Sequence, residues 1–261
     1  MDDTLLTIAG FSLIFVATTL GAALVFFFKK DVSDNLNAVF LGCAAGIMIA
    51  ASVWSLLIPA IEGAGNYGFW SFAPATVGFL CGGLFLVFLD KAVSRIYGGG
   101  KNKSGLTSEF KKPIKMFLAM TIHNIPEGLA VGFAFGAAAC GENGAALSAF
   151  GLAFGIAIQN FPEGAAVSLP LKRATDSNLR AFLFGTGSGA VEPVAAIIGY
   201  FLASTLTVAQ PWLLSFAAGA MIFVAAEDLI PDAKTEKYPH LGTWGVMIGF
   251  AIMMALDVAL G

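Results

Sequence analysis

Residues 116–139 read MFLAMTIHNIPEGLAVGFAFGAAA, and residues 147–171 read LSAFGLAFGIAIQNFPEGAAVSLPL. Each stretch is long enough to cross a bilayer as a helix, which takes about 20 apolar residues. Each carries the same polar phrase near its middle. It is His123-Asn124-Ile125-Pro126-Glu127-Gly128 in the first and Gln159-Asn160-Phe161-Pro162-Glu163-Gly164 in the second, 36 residues later. A charged side chain at that depth costs about 2.5–3.5 kcal/mol on insertion scales, so it marks a functional position by default. No Lys or Arg lies at the same depth to balance the two glutamates. One proline or one buried histidine would be ordinary packing in a membrane helix. Two glutamates in register with amides call for a cation.

The rest of the chain agrees with a membrane setting. Of 261 residues, 57% are hydrophobic and 12% charged, against about 25% charged in soluble domains. That excludes an ordinary soluble enzyme and a disordered chain. A net charge of −3 gives no reason to expect nucleic acid as a partner. Eight apolar runs are long enough to span, at about 5–28, 36–61, 72–96, 114–138, 147–171, 181–205, 212–231 and 242–260. Their length, and the lack of strict alternation, predict helices rather than a barrel. The expectation is an all-α integral membrane protein with one transmembrane domain over 1–261. The first run begins after Asp2 and Asp3, without the basic flank of a cleaved signal, and is read as a retained span. Cys43, Cys81 and Cys140 stand far apart with no CxxC and read as small apolar filler.

The 14 Lys and Arg follow one side. Lys29 and Lys30, the Lys91–Lys115 group, Lys172, Arg173 and Arg180, and Lys234 and Lys237 all fall after runs one, three, five and seven or on adjacent helix ends. The other connections hold Glu62 and Glu142 and no basic residue. Basic residues stay cytoplasmic, so both termini are expected outside, in a multi-pass protein of the cell (inner) membrane. The longest connection, a cytoplasmic linker over 97–113, contains GGGKNKSG and no histidine, and receives no ligand role.

Helical spacing gives the doubled phrase its geometry. His123 and Glu127 stack at i,i+4, as do Gln159 and Glu163, and Asn160 lies i,i+3 from Glu163. Pro126 and Pro162 cannot bond the carbonyls of Ile122 and Ile158, which predicts a kink and a free carbonyl oxygen in each helix. The glycine after each glutamate lets another helix come close. One imidazole with carboxylates and amide oxygens suits a borderline divalent ion such as Zn²⁺, Fe²⁺, Mn²⁺ or Cd²⁺. A pure oxygen cage would suit Ca²⁺ or Mg²⁺. Two glutamates shared between facing helices can also bridge two ions.

Other spans supply further candidates. Glu192, followed by Pro193, is a third mid-membrane carboxylate. Met48 is a soft ligand candidate, although a core methionine is the commoner case. Asp90, Glu227 and Asp228, near cytoplasmic helix ends, are candidates for an exit, and Ser55 and Glu62 for an entrance. His240 receives no role.

HNxPEG in one span followed by [HQ][ND]xPEG in the next resembles the ZIP (Zrt-/Irt-like protein) family of divalent metal transporters. AGIMIAASVWSLLIPAIE and EDLIPDA resemble its GufA-like bacterial branch. The resemblance covers the whole chain. It implies eight transmembrane helices in a 3+2+3 inverted-repeat arrangement. It implies a first metal position made by His123, Glu127, Gln159 and Glu163 with Met48 nearby. It implies a second made by Asn124, Glu127, Asn160, Glu163 and Glu192. Asn160 stands where some relatives have Asp, removing a negative charge, and Ala226 precedes Glu227 where relatives often have His.

The function expected is a secondary transporter moving Zn²⁺ and related divalent ions into the cytoplasm by alternating access. The metal is its substrate, with no organic cofactor. No Walker motif is present to couple ATP. A metal-selective channel is the alternative, although a tight multi-ligand site argues against fast conduction. An intramembrane metal-dependent hydrolase fits less well, since there is no H-E-x-x-H. The expected partners are divalent ions and the lipid bilayer, and Gly/Ala/Phe-rich faces permit a homodimer.

Overall fold

In a computed structural model, residues 3–27, 33–98, 108–141, 145–235 and 238–260 are described. Most of the expected linker (99–107) lies outside them, as do Lys29, Lys30, Lys101, Lys103, Glu142, Asn143 and Lys237. Every regular element among the described residues is helical. Helix α1 is Asp3–Ala23, closing in a 3-10 turn at Leu24–Phe26. Ser33 caps α2 (Asp34–Ala51) by accepting the Leu36 N–H at 3.3 Å. A π-helical turn, Ser52–Leu57, leads from α2 into α3 (Ile58–Gly63). There follow α4 (Phe72–Gly98), α5 (Ser108–Ala138) and α6 (Ala145–Thr175). Asp176, at φ 47°, turns the chain, and Ser177 caps α7 (Asn178–Gly189). Then come α8 (Val191–Thr205), α9 (Gln210–Val224), a second π turn at Ala225–Leu229, α10 (Ile230–Asp232) and α11 (Leu241–Leu260).

Seven helical segments among the described residues are long and apolar enough to cross a membrane. They are Asp3–Phe26, Asn35–Gly63, Phe72–Ala92, Ala145–Leu169, Asn178–Thr205, Thr207–Asp232 and Leu241–Leu260. Helix α5, where the fourth expected run lies, is not among them. It is 31 residues long, but its polar phrase dilutes its apolar content. The outer faces are apolar: Phe88, Phe201 and Val258 are exposed. With no aqueous reason for such a surface, this is a multi-pass membrane protein.

Four pairings dominate the packing: α1 on α6, α5 on α8, α2 on α11 and α4 on α9, with α5 against α6 at the centre. The motif glycines set two of these contacts. A Cβ on Gly128 would lie 2.4 Å from the Glu192 carbonyl oxygen of α8. On Gly164 it would lie 2.1 Å from the Thr18 carbonyl oxygen of α1. Each glycine therefore admits a neighbouring backbone, as the sequence led us to expect.

The prolines of the phrase do not break their helices. Helix α5 stays α-helical through Pro126 and α6 through Pro162. A missing N–H removes one bond, and tight packing on both sides holds the helix through the gap. The irregular backbone lies elsewhere. Pro59 cannot bond the Ser55 carbonyl and Pro231 cannot bond that of Glu227. Just before each, the Ile58 and Ile230 N–H groups reach back to Val53 and Ala225, widening the helix into a π turn. The sixth expected run is interrupted at Ala190, three residues before Pro193.

Candidate metal site

The two copies of the phrase face each other on α5 and α6, and their polar atoms are buried. Asn124, Glu127, Gln159, Asn160 and Glu163 are at most 4% exposed, and Glu192 is fully buried. Three amides share one pattern. Gln159 Nε2 donates to Glu127 Oε1 at 2.7 Å, Asn160 Nδ2 to Glu192 Oε2 at 2.7 Å, and Asn124 Nδ2 to the Ser188 carbonyl at 2.8 Å. Each amide thus uses its NH₂ on protein, and each leaves its oxygen without a donor.

Among the described residues, eight buried side-chain atoms make no hydrogen bond, and six of them belong to the doubled phrase. They are His123 Nδ1, Asn124 Oδ1, Glu127 Oε2, Gln159 Oε1, Asn160 Oδ1 and Glu163 Oε2. The five oxygens are acceptors, and an unpaired buried acceptor costs about 1–3 kcal/mol. Unpaired acceptor oxygens are the chemistry a cation satisfies. No group of three or more His, Cys, Asp and Glu close enough to hold an ion occurs among the described residues. His123, Glu127 and Glu163 are thus not gathered closely enough here to hold one ion among the three, and the unpaired acceptors are a mixture of carboxylate and amide oxygens.

His123 has the posture of a metal ligand. Its Nε2 lies 3.0 Å from Asp228 Oδ2, on the second π turn. The nitrogen facing a carboxylate carries the proton, which leaves Nδ1 as the lone-pair nitrogen. A ligating histidine ordinarily gives its other N–H to such a carboxylate.

The structure redistributes the other candidates. Glu192 sits in the first turn of α8, and both its oxygens accept hydrogen bonds, Oε1 from Thr18 at 2.9 Å and Oε2 from Asn160. Asp228, read as an exit residue, is joined to His123, whereas Glu227 and Asp90 are exposed. Ser55 is buried and donates to Asp257 at 2.6 Å, while Glu62 is exposed on α3. Met48 is fully buried in the core, one turn before the first π turn, and its carbonyl accepts from Ser52 at 2.7 Å. Cys43, Cys81 and Cys140 are free.

Three of these partners were missed in the sequence. Asp257 is a lone acid in an apolar run, the same signal that picked out Glu127. Thr18 and Ser188 gave no signal, because a hydroxyl or a carbonyl in an apolar helix is commonplace.

A family model described as ZIP Zinc transporter matches residues 112–257. The zinc transporter ZIP11 of Xenopus tropicalis is 38% identical, across 100% of this chain and 98% of its own length. The zinc transporter ZIPB of Bordetella bronchiseptica is 34% identical over 95% of this chain and 79% of its own. The zinc transporter GufA of Myxococcus xanthus is 34% identical over 94% and 95%. A model match over more than half the chain, together with relatives aligned along nearly all of it, places the doubled phrase in a known setting. The chain belongs to the ZIP family, whose members are zinc transporters rather than enzymes.

Proposed function

We propose that this chain carries Zn²⁺, and with it Cd²⁺, Fe²⁺ and Mn²⁺, across the membrane into the cytoplasm. The observation that carries this reading is the set of six buried, unpartnered atoms on the doubled phrase. The named relatives supply the metal, being zinc transporters. The first ion position takes His123 through Nδ1, with Glu127, Gln159 and Glu163. Met48 is an adjoining soft donor. The second takes Asn124, Asn160 and Glu192 with the shared glutamates. It is the weaker of the two, because Asn160 brings no charge.

The architecture we propose is eight spans in a 3+2+3 arrangement, with α5 as the fourth span. Its support is an exchange symmetry. Swapping spans one to three for six to eight, and four for five, turns the α1–α6 pairing into α8–α5 and the α2–α11 pairing into α9–α4. The two π turns exchange as well, each ending just before an Ile-Pro pair. A midplane site between inverted repeats suits alternating access. Metal release into the cytoplasm is aided by protonation, because carboxylates and imidazole bind metal only when deprotonated.

Uptake of radioactive zinc into proteoliposomes tests the reading. Saturable, competitor-sensitive uptake supports it, and no uptake by folded protein overturns it. Cysteine labelling tests the orientation. An impermeant thiol reagent should reach Asn66→Cys in intact cells and fail to reach Asn178→Cys. The reverse pattern would invert the topology.

A further inference from the structure

Helices α1 and α8 leave a groove between them. Helix α8 is drawn onto α5 by Gly128, Gly132 and Gly136, each of which admits an α8 backbone carbonyl. Helix α1 is drawn onto α6 at Gly21 and Gly164. The two helices meet where Thr18 donates to Glu192. Beyond that contact, toward the start of α1 and the end of α8, they enclose a groove of about 870 Å³. Phe135 of α5 closes its back. The Phe135 ring packs edge-on against Phe11 of α1, with centroids 5.7 Å apart, and Phe11 packs edge-on against Tyr200 of α8 at 6.3 Å. The other side is open, since Ile8, Val16, Ile197 and Phe201 on its walls are exposed. Apart from a few hydroxyls the lining is apolar, and Asp3, exposed at the mouth, is the one charged residue among the described residues that line it.

We propose that this groove seats one phosphatidylethanolamine, with a tail lying between α1 and α8 and the headgroup ammonium paired with Asp3. The lipid belongs to the outer leaflet, which rests on the orientation proposed above. At a rise of about 1.5 Å per residue, the lining of α1 from Asp3 to Val16 runs about 20 Å. One leaflet holds roughly 15 Å of hydrocarbon, so a tail fits lengthwise. Water does not fill an apolar groove at that depth, and an empty one forfeits the dispersion contacts of both walls. The headgroup follows from Asp3. An ethanolamine ammonium, like that of lysine, carries N–H donors and gives a carboxylate a charge-assisted hydrogen bond. A choline nitrogen is fully methylated and has no N–H to give. A glycerol headgroup leaves its phosphate charge unopposed beside the carboxylate. The deep end of the groove reaches Pro193, the residue after Glu192, so the tail lies against the turn that carries that carboxylate.

The test is native mass spectrometry of the full chain in detergent, with added phosphatidylethanolamine, phosphatidylcholine or phosphatidylglycerol of identical tails. Wild-type protein should retain one phosphatidylethanolamine per chain, about 3-fold more tightly than phosphatidylcholine, the scale of a single exposed ion pair. Phosphatidylglycerol should bind most weakly. Asp3→Asn should erase the preference for ethanolamine over choline while the tail still binds. Ile197→Trp fills the groove from α8 and should abolish retention of all three lipids. Added phosphatidylethanolamine should raise the melting temperature of the wild type and leave that of Ile197→Trp unchanged. Should Ile197→Trp fold poorly, Ala139→Phe narrows the mouth from the end of α5 and serves in its place. Equal retention of the three lipids by the wild type would overturn the headgroup assignment. Retention that survives a filled groove would place the lipid elsewhere and overturn the site. A protein dimer whose formation expels the lipid would give the groove to a second copy of the chain. None of these readouts uses metal, so failure of the ion site and failure of the lipid seat are told apart.

Discussion

The copies of the polar phrase on α5 and α6 match in four of six residues, yet they are tied to different parts of the molecule. Their glycines do the same work, each admitting a neighbouring backbone. Their asparagines both donate outward, Asn124 to α7 and Asn160 to α8. The first residue of the phrase parts them. Gln159 turns inward and holds Glu127, joining the copies to each other. His123 instead meets Asp228, on the π turn after α9, through Nε2. The repeated glycines admit the neighbouring backbones, and the first residue of the phrase decides which neighbour each copy reads. It also supplies the one nitrogen among the unpaired atoms of the phrase.

The largest expected effect comes from breaking what the copies share. Glu127→Ala and Glu163→Ala should each reduce zinc uptake to background, because each removes a carboxylate that no neighbour replaces. Near-normal uptake with either one gone would mean that the copies do not share an ion. Next come the glycines. Gly128→Ala and Gly164→Ala each drive a methyl into a backbone carbonyl, and overpacking of this kind costs about 1–3 kcal/mol. Thermal melts in detergent should show both variants destabilised to a similar degree. A loss confined to one would show that the copies pack unequally.

Making the copies alike sharpens the contrast at its source. In His123→Gln both phrases begin with an amide, and the site loses its imidazole. Affinity for Zn²⁺ should fall by more than affinity for Mn²⁺, since softer ions favour nitrogen donors. Acid competes with metal for the imidazole, so wild-type affinity should decline as pH falls, and the variant should lose part of that decline. Equal losses for both metals with an unchanged pH profile would make His123 a packing residue. The smallest effect is that of Asp228→Asn, which keeps the size and weakens the hold on the imidazole. It should cost about 10-fold in Zn²⁺ affinity. In a His123→Gln background it should cost much less.

Much of this was legible in the chain. Apolar runs of span length became helices, because length and composition alone decide that a segment can cross a bilayer. The phrase declared itself because charge without a counter-charge is expensive in an apolar helix. The partners were less legible. His123 and Asp228 are 105 residues apart, and nothing in local spacing brings them together. Thr18 looks like any threonine in an apolar helix, and its contact with Glu192 comes from the face of α1 that Gly164 admits. The prolines of the phrase leave their helices continuous, and the π turns stand beside Pro59 and Pro231 in other spans, which the sequence did not single out.

The central claim is that the unpaired atoms between α5 and α6 hold the transported ion. Anomalous diffraction from crystals soaked in Cd²⁺ tests it most directly. The account predicts a peak between Glu127 and Glu163 within coordinating distance of His123 Nδ1, lost in Glu127→Ala and Glu163→Ala. Cadmium bound elsewhere in the protein, with no peak between those helices, would contradict it.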